Sequence, residues 1–338
     1  MKALQIPSPR NAAVIDIPAP AAGRGEVLLK IEYVGFCGSD LNTWRGANAM
    51  AKPLVVPGHE VSAVIAAVGE DVPEQFAKGL RVTVNPYTAC GICSSCRAGR
   101  PNACEHNETL GVQRDGAMRE YLVVPWQKVI PASGLPAKTV ALVEPMSVGF
   151  HAVARARVTD SDTVMVIGCG MVGLGAVVRA SLRGARVIAA DIDPVKLEIA
   201  RSLGAEFAFD STAADFHDRL MDATSGAGPD VVIEAVGSPA TYRCAVQEVA
   251  FAGRLICIGY AKSEVSLPTG LFVKKELDIR GSRNALPSDF EAVIRYLNGA
   301  SDRVSGLISD VIRPEDAQCA LEKWDAAPGK VFRILVEV

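Results

Sequence analysis

The chain of 338 residues predicts two domains, one mainly of β-structure and one a doubly wound parallel α/β sheet. Short β-type runs such as VLLKIEYVGF and LRVTVNPY, bounded by turn residues, occupy residues 1–145. From Asp162 onward, strand patterns alternate with helix patterns, which is the order of a doubly wound sheet. A glycine-rich turn joins the first of these strands to its helix. These three observations predict the fold class.

The elements of the second domain follow in order. Four further strands and two helices are predicted from buried β-branched runs and amphipathic periods. The strand runs are DTVMVIG, RVIAADI, DVVIEAVG, RLICIGY and LDIRGSR, and the first helices are MVGLGAVVRASLRG and PVKLEIARSLGA. The last residues, DFEAVIRYLNG and GKVFRILVEV, predict a helix and a closing strand that returns to the first domain. We therefore expect one domain from 1–145 with 286–338 and another from 146–285.

Composition excludes several classes of function. Net charge is -3, and no block of Lys and Arg is present, which argues against nucleic acid or an anionic membrane as a partner. The N-terminal MKALQIPSPR lacks the apolar segment of a secretory signal, so we expect a cytoplasmic protein. The longest apolar run, from Val164 to Val178, is interrupted by four glycines and is too short to span a membrane.

One stretch, from Gly35 to Glu60, contains candidate metal ligands. Cys37 lies in GFCGSD, and His59 and Glu60 lie in PGHE. A thiolate, an imidazole and a carboxylate are the ligands of a zinc site that keeps one position open for substrate. The plainer alternative is a buried cysteine and a hydrogen-bonded core histidine, and these residues alone leave both interpretations open.

A second cysteine cluster has the spacing C-x₂-C-x₂-C-x₇-C and consists of Cys90, Cys93, Cys96 and Cys104. Four thiolates so closely spaced can surround one Zn²⁺, and a closed shell of this kind has a structural role. An iron–sulfur cluster is an alternative, although its usual C-x₂-C-x₂-C-x₃-C-P spacing is absent. Redox dithiol chemistry is a third alternative. The isolated cysteines are expected to be buried small hydrophobic residues: Cys169, Cys244, Cys257 and Cys319.

The glycine-rich turn, Gly168-Cys169-Gly170-Met171-Val172-Gly173, is a G-x-G-x-x-G motif between a strand and a helix. Gly168 permits the tight turn, Gly170 lets the backbone approach a pyrophosphate, and Gly173 allows close helix–strand packing. The first N–H groups of the helix, at Met171 and Val172, would face the phosphates. The plainer alternative is a glycine turn that binds no ligand.

Asp191 ends the next predicted strand, at the spacing expected for a residue that binds the adenosine ribose. Its carboxylate would accept hydrogen bonds from the ribose hydroxyls and would repel a 2′-phosphate. The sequence therefore predicts NAD rather than NADP. Lys196 is placed to reach the same ribose.

Together these motifs resemble the zinc-dependent medium-chain dehydrogenases, the alcohol and polyol dehydrogenase superfamily. GFCGSD, PGHE, CGICSSCRAGRPNAC, LVEPMSVGFHA and GCGMVG occur in the family's order. The resemblance implies a GroES-like catalytic β-domain with a Rossmann domain inserted before its C-terminal part. It also implies two zinc ions per subunit, NAD-dependent oxidation of an alcohol (EC 1.1.1 class) and a homo-oligomer, either dimer or tetramer.

The resemblance gives Glu144 a role. Classical alcohol dehydrogenases have a zinc-binding cysteine at this place, whereas enzymes resembling sorbitol dehydrogenase have a glutamate. It implies that Cys37, His59 and Glu144 bind the catalytic zinc, with Glu60 as an alternating ligand or a partner of the water at the metal. From the residues alone, Glu144 is a carboxylate at a helix start.

Within the polyol group, GVQRDGAMREYLVVP and KKELDIRGSRNALPSDF resemble bacterial L-galactonate and L-gulonate 5-dehydrogenase-type enzymes. This implies a sugar-acid substrate and a role in carbohydrate metabolism. Arg283 falls where sorbitol dehydrogenase-like enzymes place an arginine that contacts the substrate, and its guanidinium would suit a carboxylate. Met118 and Trp44 are also expected to contact substrate. Further candidates for anion contact, each with the alternative of an ordinary surface cation, are Arg45, Lys52 and Arg119.

The expected mechanism uses zinc as a Lewis acid on the substrate hydroxyl, Ser39 as acceptor of its proton, and the nicotinamide as acceptor of the hydride. The chain also departs from the family's pattern. Asn42 replaces a histidine that relays the proton to solvent, and an amide cannot act as a base at neutral pH. Met118 replaces a phenylalanine, and Arg119 a smaller residue. We expect proton release through water.

Other functions stay open at this point. The nearest are dehydrogenases of a neutral polyol (sorbitol or galactitol), of L-threonine or of a simple alcohol. A different class is a non-enzymatic redox sensor that binds zinc and NAD(H), which has no need of a proton-relay serine. A zinc-free reductase of the same superfamily would lack both zinc clusters.

Overall fold

The computed structural model describes residues 1–338. The chain forms two compact units. The outer unit contains Met1–Glu144 and Leu286–Val338, and the inserted unit contains Pro145–Ala285. The division predicted from the sequence had its boundaries after residue 145 and before residue 286.

In chain order, the helices and strands belong first to the outer unit, then to the inserted unit, and finally to the outer unit again. The first segment of the outer unit contains β1 (Lys2–Ser8), β2 (Asn11–Asp16), β3 (Glu26–Gly35), α1 (Gly38–Trp44), β4 (Glu60–Val68), β5 (Arg81–Val84), α2 (Ser94–Arg97), β6 (Tyr121–Pro125), β7 (Val129–Pro131) and α3 (Ala137–Val140). The boundary helix and the inserted unit contain α4 (Val143–Ala156), β8 (Thr163–Ile167), α5 (Met171–Leu182), β9 (Arg186–Asp191), α6 (Pro194–Ser202), β10 (Phe207–Asp210), α7 (Phe216–Ala223), β11 (Val231–Glu234), α8 (Pro239–Glu248), β12 (Arg254–Cys257), α9 (Gly270–Lys274) and β13 (Asp278–Gly281). The last segment contains α10 (Pro287–Leu297), α11 (Ser301–Ser305), β14 (Asp310–Ile312), α12 (Ala317–Ala326) and β15 (Ile334–Glu337). Single-turn 3₁₀ helices are Pro101–Ala103, Trp126–Lys128, Pro314–Asp316 and Pro328–Lys330.

The outer unit is built on a seven-stranded sheet with the order β14-β15-β3-β4-β5-β7, and β6 also pairs with β3. Alternate residues of β3, namely Val27, Leu29 and Ile31, are at most 1% exposed and form part of the core. The terminal strand β15 pairs antiparallel with β3, with Leu335 opposite Gly35. This confirms the prediction that the closing strand completes the β-domain.

The short helix α1 was not predicted, because residues 1–145 show almost no helical periodicity. It begins directly after β3, with Cys37 as its N-cap residue. The Asp40 carboxylate accepts a hydrogen bond from the backbone N–H of Cys37 at 2.8 Å, which closes the first turn. With seven residues, α1 is too short to produce a clear hydrophobic period.

The inserted unit is a six-stranded, all-parallel sheet with the order β10-β9-β8-β11-β12-β13. This is the doubly wound order, in which β9 and β10 are added on one side of β8 and β11, β12 and β13 on the other side. Gly168 and Ala235 directly follow β8 and β11, between which this switch occurs. Ligands of doubly wound sheets bind at this switch point, beyond the carboxyl ends of the strands. The Rossmann prediction is confirmed, although the strand β10 was missed.

The helices are short. The longest, α4, has 14 residues, and no helix is both long and apolar enough to cross a lipid bilayer.

Candidate metal centre and dinucleotide site

Three candidate ligands converge at the end of the outer sheet. The ligand atoms of Cys37, His59 and Glu60 all lie within 4.8 Å of one another. Cys37 follows β3, and His59 and Glu60 stand at the start of β4, the neighbouring antiparallel strand. His59 is 4% exposed and Glu60 is fully buried. The register of two strands therefore assembles the cluster from residues more than twenty positions apart in sequence.

Two glycines make room for this arrangement. A Cβ atom on Gly35 would lie 2.1 Å from Oε2 of Glu60, so the carboxylate occupies the space that a side chain would need. Gly58 has φ of +104°, which favours glycine, and a Cβ there would lie 2.7 Å from Val34 and 2.9 Å from Cγ of Met118. The predicted substrate residue Met118 thus packs against the turn that presents His59.

Several buried polar atoms of the cluster have no hydrogen-bond partner. They are Nδ1 of His59, both carboxylate oxygens of Glu60 and Oγ of Ser39. Nη1 of Arg333 lies 2.9 Å from Oε1 of Glu60 as an ion pair, but not with the angles of a hydrogen bond. Buried polar groups are normally satisfied. A divalent cation bound by Cys37, His59 and Glu60 would satisfy the atoms of His59 and Glu60, and N, S and O ligands are those that Zn²⁺ uses.

The electrostatics of Cys37 and His59 suit a metal. Burial alone would raise the pKa of the Cys37 thiol, but the hydrogen bond and the charge of His59 outweigh it and lower that pKa. Burial alone would lower the pKa of His59, but the hydrogen bond and charge of Cys37 raise it well above its ordinary value. The thiolate form of Cys37 and the protonated form of His59 therefore stabilise each other. A thiolate is the form of cysteine that binds metals, and a divalent cation can balance its charge in place of the imidazolium proton.

Burial also acts on the neighbouring carboxyl groups. It raises the pKa of Glu60 well above the ordinary value, and Arg333 opposes that shift. It likewise raises the pKa of Asp40, against the charge of His59. A metal ion at Cys37 and His59 would oppose both shifts further, because an adjacent cation favours the charged carboxylate.

Glu144 lies beside this cluster, in the first turn of α4, and is 4% exposed. Its charge contributes to the raised pKa values of His59 and Glu60. The buried hydroxyl of Tyr87 donates a hydrogen bond to Oε1 of Glu144. The three ligand atoms that meet within 4.8 Å include Glu60 and not Glu144. The assignment of Glu144 as third zinc ligand and Glu60 as alternating ligand stays a prediction.

Three residues of this region were missed from the sequence. Asp40 had a signal, because it stands three residues after the helix N-cap. Arg333, which is 6% exposed and donates to the carbonyl of Phe36, directly precedes β15 and had no local signal. Tyr87 had none either. Burial raises the pKa of Tyr87 well above its ordinary value, and the charge and hydrogen bond of Glu144 raise it further.

Most of the predicted substrate contacts in the outer unit have protein partners. Trp44 is 1% exposed, and its indole N–H donates to Gln318 at 3.1 Å. The three cations have these partners: Arg45 lies 2.5 Å from Asp325, Lys52 lies 3.0 Å from Asp115, and Arg119 donates to the carbonyl of Gly116 at 2.8 Å. Arg283 belongs to the inserted unit and is half-buried. The substrate contacts of Trp44, Met118 and Arg283 stay predictions.

The four-cysteine cluster forms in the structure as its spacing predicts. The Sγ atoms of Cys90, Cys93, Cys96 and Cys104 lie within 4.8 Å of one another. Hydrogen bonding, led by the Ser95 hydroxyl, lowers the pKa of Cys93 to about 5, and burial raises the pKa of Cys96 to about 11. Four sulfur atoms at this separation fit one tetrahedral Zn²⁺ with no open position.

The isolated cysteines only partly follow the prediction. Cys169 is fully buried, but Cys244 and Cys257 are half-buried and Cys319 is exposed. The prediction that all four are buried is therefore wrong. Cys319 lies in the first turn of α12, whose buried residues are Ala317, Ala320, Leu321 and Trp324.

The glycine turn of the inserted unit has the geometry of a dinucleotide site. Gly168 has φ of +93°, and a Cβ on Gly173 would lie 1.7 Å from the carbonyl oxygen of Gly168. A Cβ on Gly170 would meet nothing within 4 Å. Helix α5 begins at Met171 with no side chain capping it. This open space at an uncapped helix N-terminus fits a pyrophosphate group.

Asp191 is held against the same turn. Its Oδ2 accepts the N–H of Cys169 at 2.6 Å, and Oδ1 accepts those of Ile192 at 2.8 Å and Asp193 at 3.0 Å. Lys196 lies close enough for its charge to act on the Cys169 thiol. The ribose-binding roles of Asp191 and Lys196 stay predictions.

Comparison with known proteins gives two matching family models. Residues 172–299 match the model described as zinc-binding dehydrogenase, and residues 23–136 match that of the alcohol dehydrogenase GroES-like domain. L-galactonate-5-dehydrogenase of Escherichia coli (strain K12) is 36% identical over 283 residues, which cover 83% of this chain and 82% of that protein. Sorbitol dehydrogenase of Bacillus subtilis (strain 168) is 34% identical, with 99% and 97% covered.

A solved structure is similar over the whole length. It is the alcohol dehydrogenase rspB from E. coli CFT073, complexed with the cofactor NADH. The TM-score is 0.90 at 29% identity, and the match covers 100% of this chain and 99% of that chain.

Cysteine substitutions test the structural role of the four-cysteine cluster. Cys96→Ser should lower the zinc content by one ion per chain and lower the Tm, because the lobe has little apolar core to replace the metal. Cys319→Ser, at an exposed cysteine outside the cluster, is the matched control and should change neither quantity. Metal analysis and thermal unfolding measure both. An unchanged zinc content in Cys96→Ser would contradict the assignment.

Two glycine substitutions separate cofactor binding from folding. Gly170→Ala places a methyl group in the open space before α5, so it should weaken NADH binding at least about tenfold and leave the Tm within a few degrees. Gly173→Ala places its methyl against a backbone carbonyl and should lower the Tm. Fluorescence titration with NADH and thermal unfolding provide the two readouts. If Gly170→Ala bound NADH as tightly as the unaltered protein, the site would lie elsewhere.

Proposed function

The chain belongs to the zinc-type medium-chain alcohol and polyol dehydrogenases, and on that premise we propose that it oxidises a secondary alcohol of a sugar acid, with NAD as the hydride acceptor. The best candidate is a hexonate of the L-galactonate or L-gulonate type. The observation that carries this proposal is the convergence of Cys37, His59 and Glu60, with buried polar atoms of His59 and Glu60 that have no hydrogen-bond partner. Ser39 stands two residues after Cys37, and its buried hydroxyl also has no hydrogen-bond partner.

The metal would be held by Cys37, His59 and a carboxylate, either Glu60 or Glu144. When bound, zinc supplies a Lewis acid that makes a substrate hydroxyl more acidic. Arg333 contributes a fixed positive charge beside Glu60, at 2.9 Å. Because that charge is buried and paired, it keeps the Glu60 carboxylate in place at the start of β4.

Ser39 is proposed to accept the proton of the substrate hydroxyl. It stands two residues after Cys37, in the first turn of α1, and its buried Oγ has no other partner. The Thr43 hydroxyl donates to the Ser39 carbonyl at 2.9 Å and holds this turn. Asn42 cannot take the proton further, because an amide has no basic lone pair at neutral pH. We therefore propose that the proton leaves through water.

The cofactor proposal rests on the inserted unit. The open space at Gly170 and the N-terminus of α5 would receive the pyrophosphate, and Asp191 would bind the ribose hydroxyls. A carboxylate at that place repels a 2′-phosphate, so we propose NAD over NADP. We also propose a cytoplasmic location and a homo-oligomeric state.

A neutral polyol such as sorbitol is the second candidate substrate. Arg45, Lys52 and Arg119, which were considered for anion contact in the outer unit, all have protein partners. A sugar-acid carboxylate would then depend on Arg283. The similarity to sorbitol dehydrogenase supports this alternative.

A substrate panel tests the proposal. L-galactonate, L-gulonate, sorbitol, galactitol and L-threonine are each offered with NAD and with NADP, and the formation of reduced cofactor is followed. A hexonate with NAD should give the highest kcat/KM. The highest value with sorbitol or galactitol would favour the neutral polyol, and no turnover of any of the five would contradict the proposed function.

Ser39→Ala tests the proton acceptor. It should lower kcat by about 10²- to 10⁴-fold, the usual contribution of a positioned acid–base group, and leave the Kd for NADH unchanged. Ser305→Ala, at an exposed serine of the same unit, is the control and should keep full activity. A kcat in Ser39→Ala equal to that of the control would remove Ser39 from the mechanism.

A further inference from the structure

Tyr87 connects the four-cysteine cluster with the Cys37–His59 pair, and both lie in the outer unit. It stands three residues before Cys90, at the entry to the four-cysteine cluster, and its side chain is buried, with 5% of the residue exposed. Its hydroxyl donates to Oε1 of Glu144, beside the Cys37–His59 pair. Resting on the proposed function, we propose that Tyr87 is a positioning residue that holds the Glu144 carboxylate and so sets the affinity of the catalytic site for its metal.

The tyrosine itself is fixed on three sides. Its backbone N–H donates to the Asn85 side chain at 3.1 Å, and its carbonyl oxygen accepts a hydrogen bond from Nζ of Lys128. The ring packs edge-on against Phe290, with centroids 6.4 Å apart and an interplanar angle of 70°. Phe290 is fully buried. A ring held in this way presents its hydroxyl in one direction.

The entry to the four-cysteine cluster supplies part of this rigidity. The residues on either side of Tyr87 bond to the segment that leaves the cluster. The carbonyl of Pro86 accepts the N–H of Leu110 at 3.1 Å, and the Thr88 hydroxyl accepts the N–H of Glu108 at 2.5 Å. The segment that leaves the four-cysteine cluster therefore stabilises the backbone on both sides of Tyr87.

The chemistry of the contact explains why a hydroxyl is needed. A phenol O–H donates one hydrogen bond, so it engages one oxygen of the Glu144 carboxylate and fixes the plane of the group. Partners that orient a ligating carboxylate typically change metal affinity by 10- to 100-fold. A phenylalanine would fill the same space and keep the contact with Phe290, but it would remove the hydroxyl that donates to Oε1 of Glu144.

The experiment uses the purified zinc-loaded protein and a chromogenic zinc chelator as the probe. Tyr87→Phe should raise the Kd for the catalytic-site zinc by about 10- to 100-fold and leave the zinc of the four-cysteine cluster unchanged. Tyr33→Phe is the matched control, because the Tyr33 hydroxyl also donates to a glutamate of the same unit, Glu337, at 3.2 Å. The control should change neither zinc. An unchanged catalytic-site Kd in Tyr87→Phe would overturn the inference.

A double-mutant cycle with Glu144→Gln shows whether Tyr87 acts through Glu144. The double variant should lose no more zinc affinity than Glu144→Gln alone, because the hydroxyl would have no carboxylate left to position. Additive losses would overturn the positioning role. Because these measurements use no substrate, they separate this inference from the proposed function, which the substrate panel tests.

Discussion

The antiparallel pairing of Gly35 with Glu60 is the constraint on which the rest of the site depends. This one pair of residues fixes how the end of β3 meets the start of β4, and so brings Cys37 to His59. Gly35 must lack a side chain, because the Glu60 carboxylate lies 2.1 Å from where its Cβ would be. The strand on the other side of β3 is β15, which brings Arg333 to the same carboxylate. A sheet with this register positions all of these groups together.

The second constraint is the cost of burying polar atoms. A thiolate, an imidazole and two carboxylates gathered away from water are stable only if their charges are balanced. Protein groups supply part of the balance, through Arg333 and the Tyr87 hydroxyl. A bound cation would supply the rest, so a donor set that is unfavourable by itself would become stable as a metal site. The four-cysteine cluster follows the same reasoning, with a closed shell in place of an open one.

The sequence could predict features that are local in the chain and could not predict those that depend on strand register. The cysteine spacing and the glycine turn are local, so the sequence could predict both features, and β-branched runs located most strands. The seven-residue α1 was missed because it is too short to show a helical period, and β10, with the sequence FAFD, was missed because it has no β-branched residue. Arg333 lies 273 positions beyond Glu60, and only the pairing of β15 with β3 brings them together. Whether Glu60 or Glu144 binds the metal depends on the direction of each side chain, which the sequence alone does not give.

The most direct test of the central claim is anomalous X-ray diffraction, recorded on both sides of the zinc absorption edge, from crystals of the active protein. The account predicts two zinc peaks per chain, one bonded to Cys37 and His59 with a carboxylate, and one bonded to the four cysteines. A single peak at the four-cysteine cluster, in a preparation that still oxidises its substrate, would contradict it.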